Sequence, residues 1–112
     1  MNKSSITIKR CENKLKRLNL KGKRKRNLVK KAMELDKMVD MDVLIVCKCR
    51  DTGKITIYES GDHQDNKFTL HKAIAEIDAW ITKGRVIKQY ANHDYAKLKL
   101  QKNDCLDEEF DD

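Results

Sequence analysis

The chain has 112 residues, of which 39% are hydrophobic and 38% charged, with a formal net charge of +7. That length fits one domain with a modest core, and no run of about 18 apolar residues offers a membrane span. The opening MNKSSITIKR is charged and leads into no apolar stretch of signal-peptide length, so an intracellular, soluble protein is expected.

The charge is unevenly placed. Residues 1–40 carry 14 Lys and Arg against four Asp and Glu, while residues 101–112 carry one Lys against six acids. A basic third of this density calls for a polyanion. Nucleic acid is the first candidate, because neutralising phosphates releases counterions and supplies affinity before any base is read. A solvated helix with an import-type run at Lys21-Gly22-Lys23-Arg24-Lys25-Arg26 is the plainer alternative.

Residues 1–12 read as an extended arm, in which Ile6-Thr7-Ile8 alternates between small or charged flanks. From about Asn13 to Val39 the period becomes helical. Leu28, Ala32, Leu35 and Val39 stack on one face, and Lys16, Lys23, Lys30 and Lys37 recur every seven residues on roughly the opposite one. Gly22 costs about 1 kcal/mol relative to Ala within a helix, so the helix either begins after it or bends there. Asp42-Val43-Leu44-Ile45-Val46-Cys47 and Lys54-Ile55-Thr56-Ile57-Tyr58 read as the strands of a hairpin turning at Asp51–Gly53. A two-stranded ribbon is marginal alone, and a chain this short has little to cover it. Edge pairing across a two-fold axis into a four-stranded sheet would answer the shortage.

Gly61–Asn66 forms a polar linker. Thr69 then caps a second helix whose Leu70, Ala73, Ile74, Ile77 and Ile81 share a face, with Gly84 as its stop. Val86, Ile87, Tyr90, Leu98 and Leu100 suggest a further short helix or turn, and residues 101–112 are expected to lack stable structure. Cys11, Cys47, Cys49 and Cys105 have neither C-x-x-C spacing nor the look of a secreted disulfide framework, so reduced thiols are expected, with Cys47 and Cys49 on one face of the first strand.

Residues 5–60 resemble the MADS domain of eukaryotic transcription factors. Ile6-Thr7-Ile8-Lys9-Arg10-Cys11-Glu12-Asn13-Lys14 is similar to the family's K-I-x-I-K-R-I-x-N-K opening. Lys23-Arg24-Lys25 with Leu28-Val29-Lys30-Lys31-Ala32-Met33-Glu34-Leu35 is similar to its S-K-R-[RK]-x-G-[LI]-[LM]-K-K-A-Y-E-L core. Asn13-Lys14-Leu15-Lys16-Arg17 and the turn Thr52-Gly53 look closer to the serum response factor branch than to the plant floral branch.

The resemblance implies an α+β fold: an N-terminal arm, a long basic amphipathic helix, a β-hairpin forming a four-stranded antiparallel sheet in the dimer, and a second helix packed on the sheet. It divides the chain into a DNA-binding and dimerisation domain at 1–60, a family-variable helical extension at 61–100 and an acidic tail at 101–112. It also implies a nuclear transcription regulator that binds AT-rich duplex, of the CC(A/T)₆GG type, as a homodimer or heterodimer and without a cofactor or metal. Entry of cationic arms into a narrow minor groove would accompany bending of suitably deformable DNA.

Carried over by position, Lys3 stands where the arm has Arg, and Lys14, Arg17, Arg24, Lys30 and Lys31 fall on DNA-contacting positions, mainly at the backbone. Lys23 matches the lysine that reaches guanine in the major groove. Leu28, Ala32, Leu35 and Val39, with Val43, Ile45, Ile55 and Ile57 of the hairpin, are expected to form core and dimer interface. Departures from the family pattern are Asn2-Lys3 for Gly-Arg, Lys21 for Phe, Gly22 for Ser, Asn27 for Gly and Met33 for Tyr, together with one extra residue near Arg50–Asp51. Several fall beside the DNA-facing surface, which puts the half-site preference in doubt.

No nucleophile triad, H-E-x-x-H or phosphate-loop pattern is present, and His63, His71 and His93 sit in unrelated contexts, so an enzyme is not expected. The rival expectation is an interaction protein that keeps the dimer surface, uses DNA weakly and recruits co-regulators on the hairpin and second helix. The acidic tail around Leu106 and Phe110 would then compete with phosphate or act as an activation patch.

Overall fold

A computed structural model describes residues 7–100 of the chain. It is an α+β arrangement: helix α1 (Lys14–Val39), strands β1 (Leu44–Lys48) and β2 (Ile55–Glu59), helix α2 (Leu70–Thr82) and a short helix α3 (Tyr95–Leu100). Single 3-10 turns at Gln64–Asn66 and Asn92–Asp94 precede the last two helices. Residues Asn13–Ile87 form one compact unit, and the described residues 7–12 and 88–100 belong to another.

The α1 helix begins where Asn13, in an extended conformation, turns its side-chain oxygen onto the Lys16 amide at 3.0 Å. That bond satisfies one of the amide groups that a helix start leaves without a partner. The helix then runs unbroken through Gly22. The start after Gly22, one of the two alternatives at that position, is not realised, since the helix begins at Lys14. It ends at Asp40, whose backbone is left-handed at φ 58°, while the Met41 amide reaches back to the Leu35 carbonyl at 3.1 Å. This is a C-terminal cap of the kind glycine usually makes.

Antiparallel pairing of β1 with β2 sets Leu44 opposite Glu59, Val46 opposite Ile57 and Lys48 opposite Ile55. The chain reverses over Arg50–Gly53. Cys49 closes the turn on both sides, donating its N–H to the Lys54 carbonyl at 2.9 Å and accepting from the Gly53 amide at 2.8 Å. The positive φ of Gly53, 77°, is what lets the backbone re-enter the ladder.

Ser60 is the most buried side chain among the described residues. Its amide donates to the Val43 carbonyl, its hydroxyl accepts from the Val43 amide at 2.8 Å, and its carbonyl accepts from the Phe68 amide at 2.9 Å. One residue therefore extends the strand pairing and ties it to the approach to α2. Gly61 follows at φ 112°, where a Cβ would stand 2.7 Å from the Asn66 carbonyl oxygen. No side chain fits there, so this glycine is required.

Polar ties hold α1 along the hairpin. The Lys21 ammonium donates to the Cys49 sulfur, Lys25 to the Thr56 hydroxyl at 3.3 Å, the Gly61 amide to the Asp36 carboxylate at 3.2 Å, and Lys37 pairs with Asp62. Partners advance along β2 as they advance along α1, so the helix and that strand run in the same direction. The α1 surface turned toward the hairpin is the half-buried row of Lys21, Val29 and Asp36 together with buried Ala32.

Apolar cover is sparse. Among the described residues only Ala32 and Ala73 are buried hydrophobics. Thr69 caps α2 through the Lys72 amide, and Gly84 ends it with a bond to the Ile81 carbonyl at 2.8 Å. Yet Leu70, Ile74, Ile77 and Ile81 on that helix stay about half exposed. The outward face of the hairpin is likewise open, with Val46 at 55%, Ile55 at 62% and Ile57 at 59% exposure.

Candidate nucleic-acid interface

A regular helix turns about 100° per residue, and that spacing sorts the α1 cations into rows. Lys21 and Lys25 fall on the hairpin side and are used there. Lys16, Lys23 and Lys30 lie close to the opposite side, and Arg17, Arg24 and Lys31 form a second row between the two. Lys37 continues the outer row but is drawn to Asp62, whose carboxyl is held below its usual range by that hydrogen bond, while the Lys37 ammonium is raised by the same contact.

Lys14, Lys23, Arg24, Lys30 and Lys31 are exposed and make no ion pair with any described residue. Arg17 is half buried and engaged in a contact within the protein. The first turn of α1 holds no acidic residue, and the nearest acid on the N-terminal side, Glu12, pairs with Arg10 at 3.1 Å. Fixed cations on a rigid 26-residue helix, without acids to satisfy them, are what a phosphate backbone requires. Lys3 and the acidic tail lie outside the described residues.

Of the apolar positions expected to form core and dimer interface, Ala32 alone is buried within the chain. Val43 and Ile45 are half buried. Leu28, Leu35 and Val39 on α1 and Ile55 and Ile57 on β2 are 39–62% exposed. The hairpin meets α1 on a side rotated away from these leucines toward Val29 and Asp36. Leu28, Leu35 and Val39 are thus an apolar strip left over from intrachain packing, beside the cationic rows.

Sequence reasoning did not find the cluster at the hairpin turn. The Lys21 ammonium lies 3.0 Å from the Cys49 sulfur and 3.9 Å from the Asp51 carboxylate. The Cys49 thiol is lowered to about 6, first by the bond from Lys21, then by the Thr52 hydroxyl and the backbone amides of Thr52 and Asp51. Lys21 is raised in return, chiefly by Cys49. The only hint in the sequence is Lys21 itself, the first cation of the run Lys21–Arg26.

Among the described residues no group of three or more His, Cys, Asp or Glu side chains could hold a metal ion, and no helix is long and apolar enough to cross a membrane. A shallow, open pocket of about 350 Å³ between the start of β1 and α2 is lined by Asp42, Lys67, Phe68, Lys72 and Glu76, a mixture of charges that selects no ligand. Comparisons of the chain with protein-family models, with curated proteins and with solved structures find no match.

Proposed function

We propose that this chain is a MADS-type, sequence-specific DNA-binding transcription regulator that acts in the nucleus as a dimer on AT-rich duplex. The observation that carries the reading is the set of exposed cations on α1 that pair with no acid among the described residues, namely Lys14, Lys23, Arg24, Lys30 and Lys31. Lys30 and Lys31 hold phosphates and fix the register of the helix, Lys23 reads a guanine edge, and Lys3 on the arm enters the minor groove. The protein is a binding module and not an enzyme.

Dimerisation rests on the uncovered apolar surface. A monomer that exposes Leu28, Leu35 and Val39 on one helix, Val46, Ile55 and Ile57 on the hairpin, and Leu70, Ile74 and Ile77 on another helix has more open hydrophobic surface than a soluble monomer keeps. Two hairpins side by side make the four-stranded sheet, and the α1 helices pair beneath it. A dimer also doubles the phosphate contacts and gives a two-fold symmetric site.

The rival reading keeps the dimer but assigns it to heterodimers or recruited co-regulators, with weak use of DNA. The half-exposed stripe of α2 favours it, since that stripe lies off the cationic helix and suits a protein partner.

Selection of bound duplexes from a random pool, with the purified chain and at two salt concentrations, separates the two. Enrichment of a two-fold symmetric, AT-centred site that survives the higher salt is expected. Binding that ignores sequence and vanishes at the higher salt would sink the sequence-specific reading in favour of the partner-recruiting one.

A further inference from the structure

The contact between Lys21 of α1 and Cys49 of the hairpin joins a nucleophilic thiol to a primary amine at 3.0 Å, across two elements 28 positions apart in sequence. The sulfur sits at the hairpin turn, where its thiol is lowered to about 6, first by the hydrogen bond from Lys21 and then by the neighbouring donors of Thr52 and Asp51. Neither group is sealed from solvent: Cys49 is half buried and the Lys21 side chain is 38% exposed. Asp51, 3.9 Å from the ammonium, keeps the amine beside the sulfur.

We propose that Lys21 and Cys49 form a peroxide-responsive covalent latch, in which oxidation of the thiol is followed by a sulfur–nitrogen bond between α1 and the hairpin turn. The Cys49 thiolate attacks one oxygen of hydrogen peroxide, the O–O bond breaks, and the sulfur is oxidised by two electrons to a sulfenic acid while the peroxide is reduced. The departing hydroxide takes a proton from the Lys21 ammonium and leaves as water. That transfer turns the ammonium into a neutral amine, the nucleophile needed next. Its lone pair attacks the sulfenic sulfur, the S–O bond breaks, and a second water is released with the hydroxyl and one amine proton. The sum is thiolate, ammonium and one peroxide giving a sulfenamide and two waters.

Sulfenic acids condense with nearby thiols or nitrogens, so Cys47 is the competing partner. It stands two positions before Cys49, and extended backbone sets alternate Cα atoms about 6.5 Å apart, at the long end of disulfide geometry. Lys21 is already in contact, and its four-carbon stem lets the nitrogen close the remaining gap. The bond would fix the N-terminal half of α1 to the turn, beside Lys23 and Arg24. The chemistry does not depend on the DNA-binding reading and fails or succeeds separately from it.

The test is treatment of the reduced full-length chain with one equivalent of hydrogen peroxide, digestion with a protease that cleaves after acidic residues, and mass analysis. A cross-linked pair of peptides is expected, one containing Lys21 and the other Cys49, lighter by two hydrogens and released by excess thiol. Lys21→Met should abolish the cross-link and leave a sulfenic acid that dimedone traps, and Cys49→Ser should abolish both. Cys47→Ser should change neither. Alkylation of Cys49 in the wild type should fall away as pH drops through about 6, since the thiolate is then protonated, and should be several-fold slower at neutral pH in Lys21→Met. A Cys47–Cys49 disulfide, a persistent sulfenic acid in the wild type, or oxidation of Cys11 ahead of Cys49 would overturn the proposal.

Discussion

Lys23 and Lys30 are seven positions apart on one side of α1, both exposed and neither in an ion pair with a described residue, yet the proposed interface gives them different work. A lysine that bonds a base edge discriminates between sequences, whereas one that meets a phosphate strengthens all duplexes alike. Lys23→Ala should therefore cost about 1–3 kcal/mol against the selected site and relax base choice near its ends. Lys30→Ala should weaken selected and random duplexes equally and lower the slope of log K against log salt by about 1. Titration of both variants against a matched and a scrambled duplex checks this. Identical behaviour of the two on both duplexes would remove base readout from Lys23. Lys21 and Lys25, already engaged with Cys49 and Thr56, are expected to matter less for DNA than their place in the basic run suggests.

At the level of elements, α1 carries two local costs that its ends and interior make visible. Gly22 sits within an unbroken helix, and a Cβ added there would meet only the Arg26 guanidinium at an ordinary 3.6 Å. Gly22→Ala should stabilise the protein by about 1 kcal/mol, the helix-interior difference between the two residues. Asp40 holds a left-handed backbone at φ 58°, so Asp40→Gly should gain up to about 1 kcal/mol through relief of the Cβ clash. Urea melts of each variant give the comparison, and a neutral or destabilising Gly22→Ala would mean that α1 does not run through this position. The elements whose signals are local were legible in the sequence: the 3.6 period of α1, the turn at Asp51–Gly53, the Thr69 cap and the Gly84 stop. What sequence could not supply were contacts made across long separations. The burial of Ser60, the Lys21–Cys49 pair and the rotation of α1 that spends Val29 and Asp36 on the hairpin while leaving Leu28 and Leu35 open all belong to that class. Periodicity reports that a face is apolar; it does not report which neighbour receives it.

For the molecule as a whole, the question is what covers the surface that one copy leaves open. Leu44, Val46, Ile55 and Ile57 share the outward side of the hairpin, and apart from half-buried Leu44 each is more than half exposed. In a monomer this face meets water, so Ile57→Lys would remove an exposed apolar side chain and should be nearly neutral or improve solubility. In the proposed dimer the same substitution places a charge on the outward face of the four-stranded sheet, among the apolar side chains of both hairpins, where a charge without a partner is costly to desolvate. Sedimentation of the wild type is expected to show a dimer, with a melting temperature that rises with protein concentration because association stabilises the folded state by mass action. Ile57→Lys should weaken the dimer at least ten-fold, about 1.4 kcal/mol, and should reduce affinity for a two-fold symmetric duplex in step, since half the phosphate contacts depend on the second copy. A melting temperature independent of concentration, with Ile57→Lys indistinguishable from the wild type, would mean that the outward face is solvated. DNA would then be bound, if at all, by single copies of α1.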